Sequence, residues 1–65
     1  MFSESKEYGD YEIQVTEYAG GYQAAVHPRK QEVKSIDWET KMIWSRDVMG
    51  AFALAEQRIN EALAV

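Results

Sequence analysis

The stretch Arg46–Ala64, RDVMGAFALAEQRINEALA, decides the fold of this chain. At about 100° per residue, its apolar side chains fall on one stripe of a helix: Val48, Ala51, Phe52, Ala55, Ile59, Ala62 and Leu63. A lone helix of this length is only marginally stable in water, so the stripe needs a surface to cover. We therefore predict a C-terminal amphipathic helix, capped by Ser45 and with Asp47 in its first turn, packed on a sheet formed by the preceding residues.

An alternating pattern predicts a hairpin at the start of this sheet. From residue 11 onward, apolar side chains point to one face and polar ones to the other, ending at Tyr18. Gly20 and Gly21 suit a two-residue type I′ loop, because both loop positions need positive φ. The second strand is then Tyr22–Pro28. This loop sets the expected pairs: Val15 with Val26 on the inner face, and Gln14 with His27 and Glu12 with Arg29 on the outer face.

A third strand follows a polar loop at residues 29–34. Its alternation predicts five side chains on the inner face: Ile36, Trp38, Thr40, Met42 and Trp44. The predicted fold is α+β, a three-stranded antiparallel meander with one C-terminal helix packed on one face. Residues 10–65 form the single βββα domain. Residues 1–9 show neither the period of two of a strand nor the 3.6-residue period of a helix. We expect a flexible N-terminal tail from which Phe2 or Tyr8 folds back on the core.

Composition restricts the class of protein. Sixty-five residues mean one small domain, and the absence of cysteine excludes disulfides and thiolate metal sites. No apolar run reaches the roughly 18 residues of a membrane span, and the first residues lack the features of a signal peptide. We therefore predict a cytoplasmic protein with no membrane contact. Seven basic against eleven acidic residues give a net charge of −4, which disfavours nucleic acid as a partner.

The chemically active side chains do not form a recognisable catalytic set. His27 is the only histidine, and no cysteine is present to share a metal with it. Glu12, Asp37 and Glu39 are expected on a flat exposed sheet face, which offers no pocket to desolvate one of them. We therefore expect no enzymatic activity, no cofactor and no metal site.

Two surfaces remain as candidates for binding. Apolar residues predicted to point outward form a possible partner surface, either for a homodimer or for another protein: Tyr18, Ala25, Ile43, Met49 and Leu54. Basic residues of the second loop form a possible anion contact: Arg29, Lys30 and Lys34. The first surface favours a small non-enzymatic protein-interaction module whose biological role the sequence does not specify. The alternative is a weak nucleic-acid-binding β-β-β-α domain that uses the basic loop, with Tyr18 or Trp44 for stacking.

The order of elements resembles several small β-β-β-α domains. In the partial ribonuclease-H-like module of HicB-type antitoxins, a GGY turn follows the first strand, as Gly20-Gly21-Tyr22 does here. The helix start Ser45–Met49, with Ala51, Ala55 and Ile59 after it, is similar to the final helix of that family. The Pro-Gly-Cys-type segment of the family is missing, since Arg29 and Lys30 follow Pro28. Short bacterial proteins of this shape without an assigned role are also similar.

A second resemblance is to the β-β-β-α DNA-binding domains of phage-integrase arms and plant ethylene-response factors. That likeness implies a sheet face rich in arginine and lysine that enters the major groove. Here the corresponding face carries Glu12, Asp37 and Glu39 instead. Because phosphate contacts dominate such binding, the acidic face opposes transfer of this function.

Overall fold

The computed structural model describes residues 2–64 of the chain. Four strands and one helix follow in the order β1 (Ser3–Tyr8), β2 (Tyr11–Tyr18), β3 (Gly21–Pro28), β4 (Ile43–Ser45) and α1 (Val48–Leu63). The strands pair antiparallel in the order β1-β2-β3-β4, and α1 packs on β2, β3 and β4. The predicted α+β meander with a C-terminal helix is confirmed, but the sheet has four strands instead of three.

The additional strand is β1, so the prediction of an unpaired tail was wrong for residues 3–8. It pairs with β2 along its whole length, from Ser3 opposite Thr16 to Tyr8 opposite Tyr11. Its inward side chains meet polar groups of the helix. Lys6 Nζ lies 2.7 Å from Glu56 Oε2, and the Tyr8 hydroxyl donates to Asn60 Oδ1 at 2.9 Å. Phe2 and Tyr8 pack against the core, as expected. Met1 and Val65, the ends of the two predicted ranges, lie outside the described residues.

The β2–β3 hairpin turns one residue earlier than predicted. Its two loop residues are Ala19 and Gly20, with φ of 52° and 78°, so the turn has the positive φ values expected of type I′. Gly21 instead begins β3, opposite Tyr18, and its Cα lies close to the indole of Trp44. A Cβ at Gly21 would come within 2.7 Å of Trp44 Cε2 and 2.6 Å of the Ser45 carbonyl oxygen.

This earlier turn shifts the strand pairing by two residues. Val15 lies opposite Ala24, and Ile13 lies opposite Val26. Glu12 lies opposite His27, so the predicted pairs of Glu12 with Arg29 and Gln14 with His27 were wrong. The side chains keep their predicted faces, because a shift of two residues preserves the alternation of a strand.

The predicted third strand was mostly wrong, because only Ile43–Ser45 pairs with β3. Turns and irregular backbone occupy most of the rest of that segment. The Asp37 side chain accepts hydrogen bonds from the backbone N–H groups of Glu39 and Thr40, and such Asx turns compete with a strand. The side chains of β4 also lie on the faces opposite to those predicted. Ile43 is buried at 2% exposure opposite Ala24, so Trp44 lies on the outer face beside Gln23.

The core lies between the sheet and α1. Its buried side chains come from the inner faces of β2, β3 and β4, from Ile36 and from the helical stripe: Tyr11, Ile13, Val15, Ala24, Val26, Ile36, Ile43, Ala51, Phe52, Ala55 and Ile59. The stripe is confirmed at its centre, while Leu63 at the end of the helix is exposed. The N-cap is Asp47 instead of Ser45, and its carboxylate accepts from the Gly50 N–H at 2.6 Å. In residues 2–64, no helix is both long and apolar enough to cross a membrane.

Candidate protein-interaction site

The two outer strands of the sheet have opposite chemistry. β1, with the sequence SESKEY, exposes five of its six residues, and its inward side chains include Glu4 and Lys6. Charged side chains of this kind oppose strand pairing with a segment that lacks complementary charges. β4 has the sequence IWS and follows directly on Met42, so the strand itself carries no charged side chain. Its short length is its only protection against pairing. The apolar edge of the sheet is therefore the one formed by β4.

Apolar side chains from the strand and from the helix cluster at this edge. Met42, Trp44 and Leu54 are 43%, 37% and 42% exposed, and they are three of the six large hydrophobic residues exposed in residues 2–64. All three line one groove, together with Lys41, Ile43, Gln57, Arg58 and Glu61. We call this groove and the outer side of β4 the β4 edge. Exposed apolar side chains scattered singly are ordinary, whereas a cluster beside an unpaired strand edge is typical of a binding surface.

Trp44 is held against the sheet by a hydrogen bond and by packing. Its indole Nε1–H donates to the carbonyl oxygen of Tyr18 at 2.9 Å, and one face of its ring lies against Gly21. The side chain nevertheless stays about one-third exposed. A large aromatic side chain that is already ordered loses little conformational entropy on binding, which is a property of good interface anchors.

Arg58 fixes the chain segment that leads into β4. Its guanidinium donates from Nη1 to the carbonyl oxygens of Asp37 and Lys41, each at 2.9 Å. These bonds attach the 37–41 loop to the helix and so position Met42 beside Leu54. Arg58 and Lys41 bring two positive charges to the groove, where Glu61 provides one negative charge.

The structure brings together only part of the predicted partner surface. Leu54 lines the β4 edge, whereas Tyr18 is exposed beside the β2–β3 turn and only its backbone carbonyl contacts Trp44. The prediction for Ile43 was wrong, because its side chain belongs to the core. Met49 is 83% exposed but lies on the opposite flank of α1, beside Glu4 and Lys6. Ala25 is half-buried on the outer sheet face, opposite Gln14.

Sequence reasoning did not place Met42 and Trp44 in the partner surface, and it named Trp44 only as a stacking residue of the nucleic-acid alternative. Both were predicted to point inward, because the alternation was extended through residues that form turns. The Asp37 turn was the available signal, since aspartate favours turns and is depleted in strands.

The predicted anion contact is not assembled as a free basic surface. Arg29 Nη2 lies 3.0 Å from Glu7 Oε2, and Arg29 Nη1 donates to the Gly9 carbonyl oxygen at 3.4 Å. Lys30 and Lys34 are exposed, and Lys34 lines a groove with Asp37 and Glu61. Carboxylates thus accompany two of the three basic side chains, which lowers the local positive potential.

Of the carboxylates predicted on the outer face of the sheet, Glu12 lies there opposite His27, whereas Asp37 and Glu39 lie in the loop before β4. His27 is exposed on the outer face of the sheet, with its ring centroid 5.6 Å from that of Trp38. Within residues 2–64, the His, Asp and Glu side chains form no group of three that is able to hold a metal ion. No polar or charged residue of that part of the chain is buried.

Comparisons with protein-family models, with curated proteins and with solved structures found no match for this chain. The resemblance to the antitoxin module therefore stays a prediction.

Proposed function

We propose that this chain is a non-enzymatic protein-interaction module that binds an extended segment of another protein along the β4 edge. The observation that carries the proposal is the meeting of Met42, Trp44 and Leu54 in one groove beside a strand with a free side. An extended segment that adds to a sheet gains backbone hydrogen bonds from the strand and specificity from its alternating side chains.

The two sides of β4 offer different contacts to such a segment. Trp44 lies on the outer face of the sheet beside Gln23, Met42 immediately precedes the strand, and Leu54 lies on the helix that covers the inner face. Successive side chains of an added strand point to opposite faces, so one apolar residue meets Trp44 and the next meets Leu54. The positive charges of Lys41 and Arg58 favour a carboxylate on the partner close to this end of the groove.

Nucleic-acid binding is the alternative, and the geometry supports it less. Arg29 pairs with Glu7, and the outer face of the sheet presents Glu7 and Glu12 close to His27. A groove for single strands combines stacking side chains with several unpaired cations along the backbone path. Here Trp44 and Tyr18 lie near the β2–β3 turn, whereas Arg29 and Lys30 follow the other end of β3. Fluorescence anisotropy with single- and double-stranded oligonucleotides at low salt tests this alternative.

Site-specific photo-crosslinking tests the interaction proposal. A benzophenone amino acid replaces Met42 at the β4 edge in one chain and Gln31 in the exposed loop in a control chain. In cells of the source organism, the Met42 position should give an adduct with a particular protein that the Gln31 position does not give. The purified partner, identified by mass spectrometry, should then bind the natural chain at least tenfold more tightly than a Leu54→Asp chain. The substitution removes the apolar contact of Leu54, and its carboxylate must lose water when the segment binds.

Two results would contradict the proposal. One is the same set of adducts from both positions, which indicates random collision. The other is an identified partner whose affinity does not change on Leu54→Asp, which places the contact elsewhere. The prediction of a cytoplasmic protein is consistent with this proposal but is not needed for it.

A further inference from the structure

The other edge of the sheet also has a free side, and its sequence is complementary to itself. Within residues 2–64, β1 pairs only with β2, and five of the six residues Ser3–Tyr8 are exposed, so the opposite side of the strand is open to a partner. Read with the preceding residue, the strand is FSESKEY, with aromatic residues at both ends and serine at the centre. Glu4 and Lys6 stand on either side of that serine.

We propose that β1 pairs antiparallel with β1 of a second copy of this chain, with the two-fold axis at Ser5. This register places Glu4 opposite Lys6 of the second copy, twice by symmetry. The other pairs are Ser5 with Ser5, Ser3 with Glu7 and Phe2 with Tyr8. An isologous contact of this kind is the usual way in which small proteins form dimers.

The charges select this register over its neighbours. Glu4 and Lys6 point to the inner face, since they lie opposite Val15 and Ile13. A register shifted by two residues in one direction places Glu4 opposite Glu4 of the second copy. The same shift in the other direction places Lys6 opposite Lys6. Like charges directly opposite each other destabilise a strand pair, whereas opposite charges stabilise it.

The charged groups are also available for this contact. Neither ion pair found in residues 2–64 engages the Glu4 carboxylate, and the Glu4 side chain is exposed. Lys6 already pairs with Glu56 at 2.7 Å, but its ammonium group has three donors and remains half exposed. It can therefore bridge Glu56 of its own chain and Glu4 of the second copy.

The dimer would be one eight-stranded sheet with both helices on the same face. Its two β4 edges would remain free at opposite ends, about 34 Å apart over seven strand spacings. The dimer does not depend on the function proposed above, although it would present that binding edge twice. One pair of strands buries less than the roughly 1,200 Å² of a standard interface, so we expect a dissociation constant in the micromolar range or weaker.

A charge-exchange experiment tests the proposal with the full chain. Sedimentation equilibrium is measured from micromolar to millimolar concentration for the natural chain, for Glu4→Lys, for Lys6→Glu and for an equimolar mixture of the two variants. Each variant alone brings like charges together near the two-fold axis, so its dissociation constant should rise by about tenfold or more. The mixture restores both opposite-charge pairs, so it should dimerise about as well as the natural chain.

Control measurements distinguish loss of the β1 contact from misfolding and from association through β4. Glu12→Lys makes the same change of charge on β2, away from the contact, and should leave dimerisation unchanged. Circular dichroism checks that each variant is folded, and β1 amide shifts of labelled Glu4→Lys should change when unlabelled Lys6→Glu is added. A monomer at millimolar concentration, an unchanged Glu4→Lys dimer or a mixture that does not dimerise would overturn the proposal. Loss of self-association on Leu54→Asp alone would overturn it too, because the copies would then meet at β4.

Discussion

Replacement of Gly21 by alanine should destabilise the chain and release Trp44 from the sheet. The added Cβ would lie within 2.7 Å of Trp44 Cε2 and within 2.6 Å of the Ser45 carbonyl oxygen, which is closer than real Cβ contacts. Because the carbonyl belongs to the backbone of β4, the indole and the strand must both move. Overpacking of this kind costs about 1–3 kcal/mol, and loss of the hydrogen bond from Trp44 to Tyr18 adds about 1 kcal/mol.

The expected loss in free energy of unfolding is therefore about 2–4 kcal/mol, a large part of the stability of so small a domain. For a chain of this size it lowers the melting temperature by roughly 15–30 °C. Urea unfolding followed by circular dichroism measures the loss. Fluorescence in a Trp38→Phe background, where Trp44 is the only tryptophan, should show a red shift of the folded state.

Gly20→Ala provides the matched control. A Cβ at Gly20 meets no atom within 4 Å, but its φ of 78° strains any residue with a side chain. This substitution should cost about 1–2 kcal/mol and leave the fluorescence of Trp44 unchanged. The steric reasoning is refuted if Gly21→Ala costs no more than Gly20→Ala, or if Trp44 emits in Gly21→Ala as it does in the natural chain.

Three further substitutions test other contacts of the fold. Ala19→Asn should stabilise the chain by up to about 1 kcal/mol in urea unfolding, because Ala19 has a φ of 52° that asparagine tolerates better; a loss of stability would contradict the assigned turn. Asp47→Ala should cost about 1 kcal/mol through loss of the N-cap, and Asp47→Ser should recover most of it. Arg58→Met keeps the apolar stem but removes both donors to the 37–41 loop, so it should cost about 1–3 kcal/mol and speed hydrogen exchange at Ile43. Unchanged exchange there would show that Arg58 does not hold the loop.

The parts of the fold that the sequence predicted correctly are those where burial imposes a period. Hydropathy alternates along β2 because Tyr11, Ile13 and Val15 are all buried. Apolar residues recur at helical spacing in the centre of α1 because Phe52 and Ile59 are buried. β1 has no such signal. Its inward Lys6 and Tyr8 meet polar groups at the margin of the helix, so a paired strand has the composition of a solvent-exposed tail.

The candidate site was predicted only in part, for a related reason. Leu54 could be found because a helical period continues through exposed positions. Trp44 could not, because its face depends on where β4 begins, and the Asp37 turn interrupts the alternation before that point. A tertiary contact, the packing of Trp44 on Gly21, also leaves no room for a side chain at the first residue of β3. Such contacts have no periodic signature in a single sequence.

The contrast between the two edges follows from the width of the helix. A helix is about 10 Å across and strands are about 4.8 Å apart, so one helix covers roughly two to three strands. In this chain α1 packs on β2, β3 and β4, which leaves the inner face of β1 at the margin. Water reaches that face, and charged side chains such as Glu4 and Lys6 are stable there.

At the other margin the helix packs on β4. Leu54 therefore places an apolar side chain at the edge of the sheet, and Trp44 lies at the same edge on the outer face. Only three residues of β4 pair with β3, which makes this strand the element with the fewest backbone pairs in the described sheet. Segments of this kind open most readily. A partner strand that pairs with the free side of β4 would therefore stabilise the weakest part of the fold, because a ligand that binds only the closed state raises the free energy of opening. Partner binding should then slow hydrogen exchange first at Ile43–Ser45, whereas dimerisation through β1 should slow it at Ser3–Tyr8.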